Sequence, residues 1–211
     1  MNRFKELEGF GINFPTLIFS ITLFFTILQV IALIKQNRKI VRNKSGDSVS
    51  FPFFSFYAFA GIALIFYGLY ASSLALTLNG FLGFIMFLIS INLLKFKKIT
   101  TKEKLIGASS LIVVPMMIFL PQKDLLLFIS GLIIQFFIFI QIIELWKSPD
   151  SGSVHPEQAI VSIFSGAFWL IYSIQMSIWP MVVNNILGVS LWIVLVLVYF
   201  KKPKKIKPSL K

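Results

Sequence analysis

Apolar residues in this chain come in long unbroken runs, not at the alternating or three-and-four spacing of half-buried elements. A helix of about 20 apolar residues matches the ~30 Å hydrocarbon layer of a bilayer, so such runs predict spanning helices. Seven can be drawn: Pro15 to Ile34, Pro52 to Ala71, Leu74 to Leu94, Leu105 to Leu120, Leu125 to Trp146, Gln158 to Ile178 and Met181 to Phe200. The fourth is the shortest and carries Pro115. A closed β-barrel would need ~10-residue stretches alternating in polarity. The run from Leu125 to Ile143 shows no such alternation. The expected class is an all-α integral membrane protein of seven transmembrane helices.

The polar positions between the runs set an orientation. Lys35, Arg38, Lys39, Arg42 and Lys44 follow the first run, and Lys95, Lys97, Lys98, Lys102 and Lys104 follow the third. Lys147 follows the fifth run and a lysine-rich tail from Lys201 follows the seventh, leaving only Arg3, Lys5 and Lys123 on the other side. Basic loops face the cytoplasm, so the N-terminus is expected outside and the C-terminus inside. An even number of spans would destroy this segregation. The net charge of +12 therefore speaks for anionic headgroups at the cytoplasmic face and not for nucleic acid. Only 13% of residues are charged and none is cysteine, which excludes disulfides and thiolate metal sites. The tail before the first run has mixed charge and no small-residue cleavage site, so no cleavable leader is expected. The bias to Ile, Phe and Lys fits an AT-rich bacterium, hence the bacterial cytoplasmic membrane.

The two halves of the chain resemble each other. Leu28-Gln29-Val30-Ile31 near the end of the first run matches Ile140-Gln141-Ile142-Ile143 near the end of the fifth. Lys44-Ser45-Gly46-Asp47-Ser48 then matches Lys147-Ser148-Pro149-Asp150-Ser151, with about nine extra residues in the first half between Lys35 and Lys44. Pro52 and Pro156 follow, each where a helix can begin without losing a bond. Tyr67 then matches Tyr172, and Asn79 matches Asn185. This divides the chain into a three-helix repeat over 1–98, a linker helix over 99–122 and a second three-helix repeat over 123–211 with a basic tail. Three helices reverse the chain and the linker returns it, so the repeats are expected to be parallel. Secondary transporters use this plan, with the solute site near the midplane between the repeats.

A three-helix unit doubled around a linker helix resembles the SWEET sugar transporters of the PQ-loop superfamily, over nearly the whole chain. Trp169, Tyr172, Pro180 and Asn185 carry the likeness in detail. It implies that Asn79 and Asn185 are paired pocket amides, that Trp169 is the pocket aromatic, and that Leu64 takes its place in the first repeat. The Pro-Gln pair that names the superfamily reads Leu28-Gln29 and Ile140-Gln141 here. Gating is accordingly assigned to Gln29 and Gln141 with Pro15, Pro52 and Pro156, the prolines that stand near helix ends.

The remaining chemistry narrows the function. Amides buried in hydrocarbon face other helices or water, which makes Asn79, Asn185, Gln29, Gln135 and Gln141 interior residues. An amide offers both donor and acceptor to hydroxyls, and an indole face can stack on a sugar ring. Asn184 points about 100° away from Asn185 around the helix and is expected to serve packing or a second layer. No acidic residue stands at mid-span: Glu144 lies near one end of its run, and His155 is in a loop. Proton coupling usually needs such a group. Paired carboxylates, a histidine cluster and a phosphate-cradling loop are all missing, so no enzyme, cofactor or metal is expected. The reading is an uncoupled carrier of a small neutral solute, a mono- or disaccharide, working alone or as a homo-oligomer. The alternatives are a non-transporting PQ-loop-type receptor or assembly factor and a carrier of another neutral solute.

Overall fold

A computed structural model of the chain describes residues 4–150 and 154–203. The described residues are helices and connections, with no strand among them. A short α1 (Lys5–Glu8) precedes α2 (Phe14–Asn43) and α3 (Phe51–Tyr70). Next come α4 (Leu74–Gly80), α5 (Leu82–Phe96), α6 (Thr101–Ser109) and α7 (Val113–Phe119), with a 3-10 turn at Ser110–Ile112 between the last two. The chain closes with α8 (Lys123–Lys147), α9 (Pro156–Gln175) and α10 (Trp179–Lys201). Counting α4 and α5 as one segment broken after Gly80, six helices are long and apolar enough to cross a membrane. Large apolar side chains such as Phe24, Ile27, Leu88, Phe136, Phe139 and Leu197 cover the outside. In water such a coat would be an aggregation hazard, whereas in a bilayer it is the solvent-facing surface. The protein is a multi-pass helical membrane protein.

The fourth run, Leu105 to Leu120, does not form one long helix. Its residues are helical in three pieces, α6, the 3-10 turn and α7. Pro115 lacks the N–H that would bond to Leu111 and its ring crowds that carbonyl, which tightens the turn just upstream. The segment begins beside Lys97, 3.7 Å from Glu103. It ends where the Lys123 ammonium accepts the role of a cap, donating to Met117 O at 2.7 Å and to Ile118 and Leu120. It thus packs along α3 from one end of the bundle to the other.

Helix starts follow local chemistry. Asn13 caps α2 by accepting from Thr16 N at 2.9 Å, and Ser50 and Ser73 cap α3 and α4 in the same way. Pro15, Pro52 and Pro156 all lie in the first turn of their helices, where an absent N–H costs no intrahelical bond. Pro15 therefore opens α2 and does not bend it.

A constant offset of 105 residues relates the two halves. Phe51 and Tyr70 bound α3 as Pro156 and Gln175 bound α9. Both helices end in the same turn: Ser72 (φ 53°) and Ser177 (φ 57°) take left-handed backbone, and Ser73 N and Ile178 N each donate 2.8 Å back to Gly68 O and Ser173 O. This register corrects the string match made on sequence. Gln36, not Gln29, corresponds to Gln141, and Asn79 corresponds to Asn184, not Asn185. The nine extra residues vanish, because α2 itself runs on to Asn43.

The halves interlock. α2 packs on α9 and α8 packs on α3, so the first helix of each half lies against the second helix of the other. On the α3 side, Gly61 and Gly83 let α3 and α5 touch, since a Cβ on Gly61 would stand 2.7 Å from Gly83 Cα. One apolar cluster, around Phe53, Ile89, Leu145 and Leu195, fills the end of the bundle that carries the basic loops. A second, around Phe19, Leu76, Met117 and Tyr172, fills the end that carries α1.

Candidate functional site

Between the two clusters lies a cavity of about 150 Å³. A cavity of that size holds one benzene-sized ring. Asn79, Asn185, Trp169 and Leu64 all line it, from α4, α10, α9 and α3. So do Asn184, Gln135 and Ser165, three residues that the sequence reading had not placed at the site.

The lining is mostly apolar, but several of its polar side chains are unsatisfied. Eight buried side-chain polar atoms among the described residues lack a partner, and five of them belong to this wall: Asn79 Oδ1, Gln135 Oε1, Ser165 Oγ, Trp169 Nε1 and Asn184 Oδ1. Buried polar groups are normally paired, and leaving one unpaired costs about 1–3 kcal/mol. Five around one space mark a place where something else supplies the bonds. Asn185 is partly satisfied, with its Nδ2 donating to Ser173 Oγ at 3.3 Å. Among the described residues, no carboxylate, lysine or arginine lines the cavity.

α9 brings a polar stripe to the wall. His155, Gln158, Ser162, Ser165, Trp169 and Tyr172 follow at intervals of three and four along α9 and its cap, which places them on one face. The equivalent positions of α3 are Ser50, Phe53, Tyr57, Ala60, Leu64 and Tyr67, a mostly apolar face. The three-and-four spacing along α9 is the sequence signal that points to Ser165. Two small cavities continue the central one toward the basic end. The first, about 30 Å³, shares Gln29, Tyr57, Ser162 and Trp192 with it. The second, about 20 Å³, reaches Gln36, Gln141 and His155. Each has room for one or two waters.

Both ends of this file are closed by bonds that cross between the halves. At the basic end, Gln141 Oε1 accepts from Ser50 N at 2.5 Å and Gln141 Nε2 donates to Ser48 O. In the equivalent place Gln36 Oε1 accepts from His155 N at 2.6 Å. Each glutamine thus holds the cap residue of the other half's second helix. Gln29, paired with Gln141 on sequence, stands instead at the central cavity, and the structure does not bring the two together. Lys97 adds an ion pair to Glu144 at 2.9 Å and a bond to Val49 O at 2.7 Å, while Lys35 pairs with Glu157. Burial pushes the His155 imidazole below its ordinary pKa; Glu157 opposes this, and Lys39, Lys35 and Arg42 add to it.

At the α1 end, tyrosines meet carboxylates. Tyr67 OH donates to Asp124 Oδ1 at 2.7 Å. Its equivalent, Tyr172 OH, donates to Glu6, whose carboxylate also takes Ser73 Oγ at 2.9 Å, Leu74 N at 3.1 Å and Ala75 N at 3.2 Å. Burial alone would raise the Glu6 pKa, but these donors outweigh it and hold the carboxyl below its usual value. Trp169 packs edge-on against Tyr172, ring centres 5.3 Å apart, so the cavity wall touches this closure directly. Against this geometry, no known protein family matches the chain, and no curated protein matches it either.

Proposed function

We propose that the chain is a SWEET-like facilitative transporter that moves a small neutral, hydroxyl-rich solute down its gradient by alternating access. The observation that carries this reading is the cavity between the interlocked halves, whose wall holds four polar atoms without partners and an indole whose N–H is unpaired as well. Its size suits a monosaccharide ring better than a disaccharide, and its lack of charge disfavours ions. In this reading α6 and α7 form the seventh crossing, which makes the two halves parallel three-helix repeats. In the same reading the basic end faces the cytoplasm and α1 lies outside, which the distribution of lysine and arginine supports. Alternating access then opens the glutamine closure and the tyrosine–carboxylate closure in turn. The bonding at both ends equally suits a receptor that binds a solute and carries nothing.

The test is uptake of labelled glucose and sucrose into proteoliposomes without a proton gradient, comparing wild type with Asn79→Ala/Asn184→Ala. Saturable glucose uptake that the folded double variant loses is expected. Binding of glucose without flux would favour the receptor. Neither binding nor flux would remove the sugar reading.

A further inference from the structure

Gln135 and Asn184 sit crosswise between α8 and α10, each over a glycine of the other's helix. A Cβ on Gly131 would stand 1.9 Å from Asn184 Nδ2, and one on Gly188 would stand 3.3 Å from both amide atoms of Gln135. The glycines are the seats of the two amides, and only one of them, Gly188, has a glycine at the matching place in the first half, Gly83. Val30 and Thr26 stand where Gln135 and Gly131 would be. The arrangement therefore belongs to the second half alone.

The amide nitrogens are already engaged. Gln135 Nε2 donates to Asn184 O at 3.1 Å, and Asn184 Nδ2 points at Phe128 O, 3.5 Å away. A backbone carbonyl only accepts, so turning either amide over would set two oxygens against each other. The orientation is therefore set by the backbone: both nitrogens face carbonyls, and Gln135 Oε1 and Asn184 Oδ1, on two side chains that line the cavity, are left buried and without a donor. From α9, Trp169 Nε1 offers the same cavity a donor and nothing else.

We infer that Gln135 Oε1 and Asn184 Oδ1 form a fixed pair of acceptors that takes two hydroxyl hydrogens of the solute, and that this pair sets the protein's selectivity. The inference rests on the transporter reading and narrows it. The site requires two donors on one side of the ring and an acceptor toward Trp169. It rejects anions, whose oxygens would meet these oxygens, and it discriminates against analogues in which either hydroxyl is missing or methylated.

The experiment is uptake of D-glucose and each monodeoxyglucose by the full chain in proteoliposomes. In wild type two deoxy positions should each lose about tenfold in kcat/KM, the size expected when a buried acceptor is left open. In Gln135→Met one of these positions should stop mattering while the other still costs about tenfold. In Gly131→Ala, which takes away the seat of the Asn184 amide, the other should stop mattering; Asn184→Leu replaces it if the glycine variant does not fold. A packing role for these amides would lower every sugar in parallel and leave the deoxy pattern unchanged, which overturns the inference. Wild-type uptake indifferent to every deoxy position also overturns it, with the transporter reading intact. No wild-type uptake of glucose at all removes both.

Discussion

Gln141→Leu tests how the basic end is held shut. Ser50 is fully buried, and its N–H has Gln141 Oε1 as partner at 2.5 Å. The Ser48 carbonyl loses its Gln141 donor as well. Two buried backbone groups left open cost about 1–3 kcal/mol each, so the closed form loses about 2–6 kcal/mol. Once that end opens, water reaches both groups and the penalty falls away, so the loss weighs on the closed form alone. Even about 3 kcal/mol shifts the balance toward the open form by more than a hundredfold. The chain has no cysteine, so a thiol placed at Ser162→Cys reports without background. Ser162 lines both the central cavity and the small one beside it. A membrane-impermeant maleimide added at the basic side should label Ser162→Cys slowly, and label Ser162→Cys/Gln141→Leu at least tenfold faster. Gln36→Leu should act in the same direction through His155 N. Equal labelling rates in folded protein would show that the glutamines do not hold this end closed.

Three further outcomes follow from the packing and the closures. Glu6 is held below its usual pKa, so its contribution is present above the ordinary carboxylate value and is lost as pH falls through the lower folded value; wild type should melt above Glu6→Gln near neutrality, with the gap closing under acid. Gly61→Ala brings a Cβ within 2.7 Å of Gly83 Cα, which is backbone and cannot yield, and should cost about 1–3 kcal/mol in thermal unfolding. Ser177→Gly relieves a left-handed serine at φ 57° and should stabilise the fold by up to about 1 kcal/mol, seen as a slightly higher melting temperature, whereas Ser177→Val should lower it.

Much of the bundle was legible because hydrocarbon leaves few choices: a backbone with no water to bond must be helical. Five of the six long helices follow the apolar runs to within about three residues, while α2 overruns its run by nine residues to Asn43. The linker was harder, since an apolar run says nothing about where Pro115 breaks the ladder. The repeat register failed for a specific reason. Gln29 and Gln36 are seven residues apart, two helical turns, so they share a face, but Gln29 sits in an apolar string like the one around Gln141 whereas Gln36 is flanked by Lys35, Asn37 and Arg38. Matching strings chose the wrong one and needed an insertion to recover. Asn184 and Asn185 posed the same problem one residue apart. The better signal was already in the sequence, where Leu64 with Trp169 and Tyr67 with Tyr172 both stand 105 apart. The amide orientations at Gln135 and Asn184 were not legible, because they depend on glycines of facing helices.

The crossing of bonds between halves also governs when this chain can finish folding. Ser50 N–H waits for Gln141, 91 residues later, and Glu6 waits 166 residues for Tyr172. At about 5–20 residues per second of synthesis, the first delay is roughly 5–20 seconds. The first three helices must therefore sit in the bilayer as an unfinished half, open along the faces that α8 and α9 will cover. Native packing arrives late and together, when the second half docks. A ribosome that stalls before Tyr172 leaves behind a membrane-inserted fragment with exposed polar seams, the kind of species that membrane quality control removes.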